Sequence, residues 1–116
     1  MNIKNKTVLV TGGASGLGQA TVEAVIAAGG NAVILDINEI NAKKLIDELG
    51  EDKVSFISTN IMEEEPVVNA VNQIQEKFGA LHVAVNCAGT GYPGRILGRE
   101  APHPLDAFKL IINLNL

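Results

Sequence analysis

A chain of 116 residues that is 47% hydrophobic and 19% charged has the makeup of one modest folded domain, which excludes a disordered or fibrous segment. A net charge of −4, a pI near 5.0 and the absence of any Lys/Arg cluster argue against nucleic acid and anionic membrane surfaces as partners, so an anionic ligand must be held by local N–H groups. The single Cys87 excludes an internal disulfide and fits a reducing compartment.

Met1-Asn2-Ile3-Lys4-Asn5-Lys6 leads into apolar residues without a secretory apolar region, and no apolar stretch is long enough to span a bilayer, so a cytoplasmic protein is expected. Thr7–Val10 then has the composition of a buried parallel strand. It runs into Thr11-Gly12-Gly13-Ala14-Ser15-Gly16-Leu17-Gly18, and a helix is predicted over Ser15–Ala28. A helix opened by glycines presents free backbone N–H groups and the positive end of its dipole, and residues without side chains let a pyrophosphate come close. The next strand, Ala32–Leu35, ends in Asp36, eighteen residues beyond Gly18, where a dinucleotide-binding βαβ unit places an acid for the adenosine ribose hydroxyls. Alone, the glycines would serve any tight turn and the acid would be a solvated strand end. Their order along the chain favours the nucleotide.

A helix over Glu39–Leu49 follows, with Leu45, Ile46 and Leu49 on one apolar face, Glu39 in its first turn and Gly50 as its stop. Val54–Ser58 reads as the third strand, and Glu63–Phe78 as a helix whose start is marked by Glu63-Glu64-Glu65-Pro66. Val83–Val85 is the fourth strand. Strands alternating with helices predict a doubly wound parallel α/β sheet, and right-handed crossovers give it the order 3-2-1-4. Gly12, Asp36, Asn60 and Asn86 then all lie at the carboxyl ends of strands. Between Thr90 and Pro104, three glycines and three prolines predict a long loop. Its Arg95, Arg99 and His103 are placed to meet an acidic substrate such as a CoA phosphate, with solvated loop residues as the alternative. From Leu105 a last helical pattern puts Leu105, Phe108, Ile111 or Ile112, and Asn115 on one face. His82 and His103 stand apart from any Cys or carboxylate at ligand spacing, so no metal site is expected.

The spacing Gly-x-x-x-Gly-x-Gly at Gly12, Gly16 and Gly18, followed in order by Asp36, Thr59-Asn60-Ile61, Asn86-Cys87-Ala88-Gly89 and Ile112-Asn113-Leu114-Asn115-Leu116, resembles the short-chain dehydrogenase/reductase family along the whole chain. The glycine run together with Val83-Ala84-Val85-Asn86-Cys87-Ala88-Gly89 looks most like the type 2 3-hydroxyacyl-CoA dehydrogenases. The resemblance implies a Rossmann-like fold and hydride transfer between a dinucleotide and a secondary alcohol. Gly12, Gly16 and Gly18 would shape the turn, and Ser15 and Leu17 would offer backbone N–H groups. A carboxylate at Asp36 repels a 2′-phosphate, and neither Ser15 nor Ile37 is basic, so the expected cofactor is NAD.

By the same resemblance, Asn60 stands where the family has an Asp that binds the adenine amino group, with Ile61 packing beneath the base. A plain strand-end Asn is the alternative. Asn86, Ala88 and Gly89 would leave space beside the nicotinamide ribose, with Cys87 a small buried thiol in place of the family's second Asn. Asn115 matches the family Asn that anchors a water in the proton relay. The catalytic Ser, and the Tyr with a Lys four residues later, are expected beyond Leu116, because Tyr92 is the only Tyr and Ile96 stands four residues after it. The chain therefore reads as the NAD-binding N-terminal half of one domain and is expected to be inactive alone. The fourth strand becomes an edge, Leu110, Ile111 and Leu114 are left uncovered, and a homo-oligomer is expected. A nucleotide-binding module without catalysis is the alternative function. An acyl-carrier-protein 3-oxoacyl reductase is disfavoured, since Asp36 argues against NADPH.

Overall fold

The computed structural model describes residues 2–116. Its elements run β1 (Thr7–Thr11), α1 (Gly16–Ala27), β2 (Asn31–Asp36), α2 (Glu39–Leu49), β3 (Val54–Ser58), α3 (Glu64–Phe78), β4 (Val83–Asn86) and α4 (Leu105–Asn115). The four strands form one parallel sheet in the order β3-β2-β1-β4, the order expected from right-handed crossovers. This is a Rossmann-like α/β fold.

β1 and β2 are continuous apolar runs because both of their faces are covered. Their side chains alternate between two layers. Val8, Val10, Ala32 and Ile34 meet Val22 and Val25 of α1 and Ala42 and Leu45 of α2 on one face, while Leu9, Val33 and Leu35 meet Ala70 and Ile74 of α3 on the other. In α2 the buried residues are Ala42 and Leu45, with the expected Ile46 and Leu49 packed at the margin.

Caps account for the helix limits. The Asn38 side chain accepts from the Asn41 N–H at 3.1 Å, and Gly50, at φ +98°, ends α2. Gly79 ends α3 at φ +76°, and its N–H donates to the Gln75 carbonyl at 2.8 Å. Ser15 and Ala28, read as helix from the sequence, are the caps of α1.

β4 alternates between half-buried Val83 and Val85 and exposed Ala84 and Asn86, the pattern of an edge strand. His82, isolated in sequence, has a partner in space: its Nδ1 accepts from the N–H of buried Thr7 at 3.1 Å. The long loop after β4 holds no regular element, but it is pinned by the Leu97–Pro102 bridge and by a T-shaped contact between Tyr92 and His103 with centroids 5.3 Å apart. α4 corrects the predicted face. Ala107, Ile111 and Leu114, spaced four and three apart, are its half-buried residues, whereas Leu105, Phe108 and Ile112 are exposed. Seven of the eleven positions of this helix are apolar and spread over an arc wider than one packing face, so periodicity alone selected the wrong part of it. Among the described residues, no helix is long and apolar enough to cross a membrane.

Candidate dinucleotide site

The carboxyl ends of all four strands open into one cavity of about 620 Å³. Gly12, Ser15, Gly16, Leu17 and Gly18 form its floor after β1, and Asp36 and Ile37 its wall after β2. Asn60, Ile61 and Met62 enter after β3, and Cys87, Ala88, Gly89 and Thr90 after β4, with Leu110 and Leu114 of α4 closing the side. Chain segments far apart in sequence meet here because every parallel strand delivers its following loop to the same edge.

The floor is built by close backbone approach. A Cβ on Gly12 would lie 2.7 Å from the Ala88 Cα, so only glycine lets the turn touch the end of β4, and its φ of +65° needs glycine as well. Gly18 packs equally tightly beneath, with a Cβ there falling 2.9 Å from the Gly13 Cα. Gly16 differs: at φ +54° its missing Cβ faces no atom within 4 Å, so it keeps space open. The Thr11 hydroxyl accepts from the Ala88 N–H at 3.2 Å, and the Thr11 carbonyl from the Cys87 N–H at 3.1 Å, tying the two strand ends together.

The electrostatics of the floor set α1 apart. α2 and α3 carry acids in their first turns, Glu39 and Glu64 with Glu65, which meet the positive ends of those helices. α1 has no acid in its first turn and no side-chain cap from Ser15. The N–H groups of Gly16, Leu17 and Gly18 lack intrahelical partners by the geometry of a helix start, and they border the cavity. A pyrophosphate fits this cradle, supplying the acceptors and negative charge that the sequence withholds.

Asp36 is pre-positioned beside it. Its Oδ2 accepts from the Ala14 N–H at 3.1 Å and its Oδ1 from the Asn38 N–H at 3.0 Å. Each oxygen retains acceptor capacity for a vicinal diol, and the bond to Ala14 fixes the acid to the glycine turn itself. Exposed apolar side chains surround the acid: Leu17 is 84% and Ile37 77% exposed, the kind of uncovered surface that marks a ligand groove.

Most of the residues singled out in the sequence converge: Gly12, Ser15, Gly16, Leu17, Gly18, Asp36, Asn60, Ile61, Ala88 and Gly89 all line the cavity. Two stand apart. Asn86 is the last residue of β4, in register with Thr11, and is not among the lining residues. Asn115 also lies outside the lining, and its carboxamide is committed to the main chain of Thr90: Oδ1 accepts from the Thr90 N–H at 3.1 Å and Nδ2 donates to the Thr90 carbonyl at 3.0 Å. It staples α4 to the loop after β4. Arg95, Arg99 and His103 likewise sit outside the cavity wall. The sequence reading passed over Leu110 and Leu114 as lining residues, since nothing local marks which side of an apolar helix faces a cavity.

The family model for short chain dehydrogenase matches residues 6–116. Among curated relatives, the chain is 38% identical over 115 residues to 3-hydroxyacyl-CoA dehydrogenase type-2 of Drosophila melanogaster, covering 97% of this chain and 45% of that protein. It is 37% identical to the protein of the same name from Bos taurus, over 99% of this chain and 44% of the relative. A crystal structure of 3-hydroxyacyl-CoA dehydrogenase type-2 from Mycobacterium avium superposes with a TM-score of 0.84 at 37% identity, covering 97% of this chain and 43% of that one. The chain thus spans less than half the length of the relatives it matches.

Proposed function

The chain belongs to the short-chain dehydrogenase family, and from that premise we propose that it forms the cofactor-binding half of an NAD-dependent oxidoreductase acting on a secondary alcohol of the 3-hydroxyacyl-CoA type. The observation that carries the cofactor reading is Asp36, held by the Ala14 and Asn38 N–H groups at the wall of the cavity. Its carboxylate accepts from both adenosine ribose hydroxyls and repels a 2′-phosphate, which selects NAD over NADP. NAD supplies the hydride acceptor when bound. The α1 N–H groups and Gly16 receive its pyrophosphate, Asn60 and Ile61 border its base, and Ala88 and Gly89 leave room for the nicotinamide side. Asn115 acts through Thr90, as a positioning residue that holds the loop after β4 against α4.

Oxidation of a carbinol also needs a group that takes up the hydroxyl proton. In these 116 residues no Tyr has a Lys four positions later, and Tyr92 packs on His103 away from the cavity lining. We therefore assign the acid/base to further sequence of the relatives' length, and binding without turnover to this chain by itself. The substrate class rests on the relatives' names, the apolar Leu110 and Leu114 wall being compatible with an acyl chain. Calorimetric titration with NAD and NADP tests the cofactor: preference for NAD by more than about tenfold is expected, and equal affinities would overturn the role of Asp36.

A further inference from the structure

Strand order dictates which part of a dinucleotide meets which strand end. With the pyrophosphate at the turn after β1 and the ribose at Asp36 after β2, the base falls at the next end outward, after β3, where Asn60, Ile61 and Met62 line the cavity. There the Asn60 carboxamide is held from both sides. Its Nδ2 donates to Glu63 Oε1 at 2.7 Å, and its Oδ1 accepts from the Met62 N–H at 3.2 Å. Turning the amide over would set NH₂ against N–H and carbonyl against carboxylate, so this network admits one orientation. The bond to the charged Glu63 is the shorter and stronger of the two. A free carboxamide reads a base edge ambiguously, because a half-turn exchanges acceptor for donor. A locked one does not.

We infer that Glu63 is a specificity-determining positioning residue: by fixing the Asn60 amide, it makes Oδ1 the atom that meets the base and so selects adenine over hypoxanthine. The inference rests on the dinucleotide reading above. Oδ1 keeps a second lone pair after its bond to Met62, and the exocyclic amino group of adenine donates to it. Hypoxanthine presents a carbonyl at the same place, acceptor against acceptor. Glu63 reaches no base itself and acts through Asn60. Its side chain makes no capping bond to α3, so its replacement leaves the helix start intact.

The test is calorimetric titration of the full chain with NAD and with nicotinamide hypoxanthine dinucleotide. The unmutated protein should prefer NAD by roughly tenfold, the worth of one hydrogen bond exchanged for a repulsive contact. Glu63→Gln, whose own amide can turn over together with that of Asn60, should lose part of that preference. Glu63→Ala should narrow the ratio to about threefold or less, with an unchanged melting temperature, because only the longer Met62 bond then opposes the turned amide that offers Nδ2 to the hypoxanthine carbonyl. An unchanged ratio in Glu63→Ala overturns the inference, and so does an unmutated protein that binds both equally. In the latter case NAD binding would still stand. Failure of both dinucleotides to bind would instead remove the cofactor reading, and this inference with it.

Discussion

Replacing Gly18 by Ala should dismantle the site from its floor. A Cβ there would overlap the Gly12 carbonyl oxygen and lie 2.7 Å from the Gly12 carbonyl carbon and 2.9 Å from the Gly13 Cα, all backbone atoms. Ordinary carbon contacts need about 3.5–4.0 Å, so the glycine turn and α1 must part by roughly 1 Å. Overpacking a filled interior costs about 1–3 kcal/mol, and the upper end applies where relief moves main chain and not a flexible side chain. Intrinsic propensity pulls the other way, since Ala is favoured over Gly in a helix by about 1 kcal/mol. A net loss of about 1–2 kcal/mol is therefore expected, against a domain margin of about 5–15 kcal/mol. NAD affinity should fall with it, because the displaced segment carries the N–H groups of the cradle. Gly16→Ala is the contrast: its methyl meets nothing within 4 Å, so the cost is the left-handed backbone at φ +54°, and affinity falls because the methyl occupies cavity space. Urea unfolding followed by circular dichroism, with NAD titration of both variants, checks the pair. A Gly18→Ala protein as stable as the unmutated one refutes the close-packing argument.

Asp36→Ala should narrow the gap between NAD and NADP in titration, chiefly by weakening NAD, and should lower stability because the Ala14 and Asn38 N–H groups lose their acceptor. Incubation of the chain with NAD and 3-hydroxyacyl-CoA esters should give no reduced cofactor by absorbance; steady production that survives Tyr92→Phe would refute the assignment of the acid/base elsewhere. His82→Ala should cost about 1–2 kcal/mol in urea unfolding, since the buried Thr7 N–H loses its partner, and an unchanged midpoint would show that water replaces the ring. Light scattering over a concentration series should show self-association weakened by Phe108→Lys and Ile112→Lys, which sit exposed on the outer side of α4, and a monomer at every concentration would contradict this.

The sheet was legible because its signals are local and redundant. Thr7–Val10 and Ala32–Leu35 are apolar at almost every position, which only a strand covered on both faces requires, and the glycine run and Asp36 follow those strands directly. Once the strand order is known, the meeting of Gly12, Asp36, Asn60 and Ala88 follows from topology without any knowledge of side-chain contacts. α4 resisted the same treatment. Leu105, Ala107, Phe108, Leu110, Ile111, Ile112 and Leu114 spread over an apolar arc wider than one packing face, opposite Asp106, Lys109 and Asn113, so which part of that arc turns inward is chosen by what it packs on.

The polar side chains of the site show where local reading stops. Asn115 and Thr90 are 25 residues apart, and nothing near either one announces their double hydrogen bond. Glu63 lies only three residues from Asn60, yet the run Glu63-Glu64-Glu65 reads as helix-start electrostatics, a role that Glu64 and Glu65 do fill in the first turn of α3. Glu63 precedes that turn and faces back to the end of β3. Three adjacent acids thus divide between two tasks, neutralising a helix end and orienting an amide, and one residue of helix phase separates them. Composition, not phase, distinguishes α1, whose first turn holds no acid to meet the positive end of the helix.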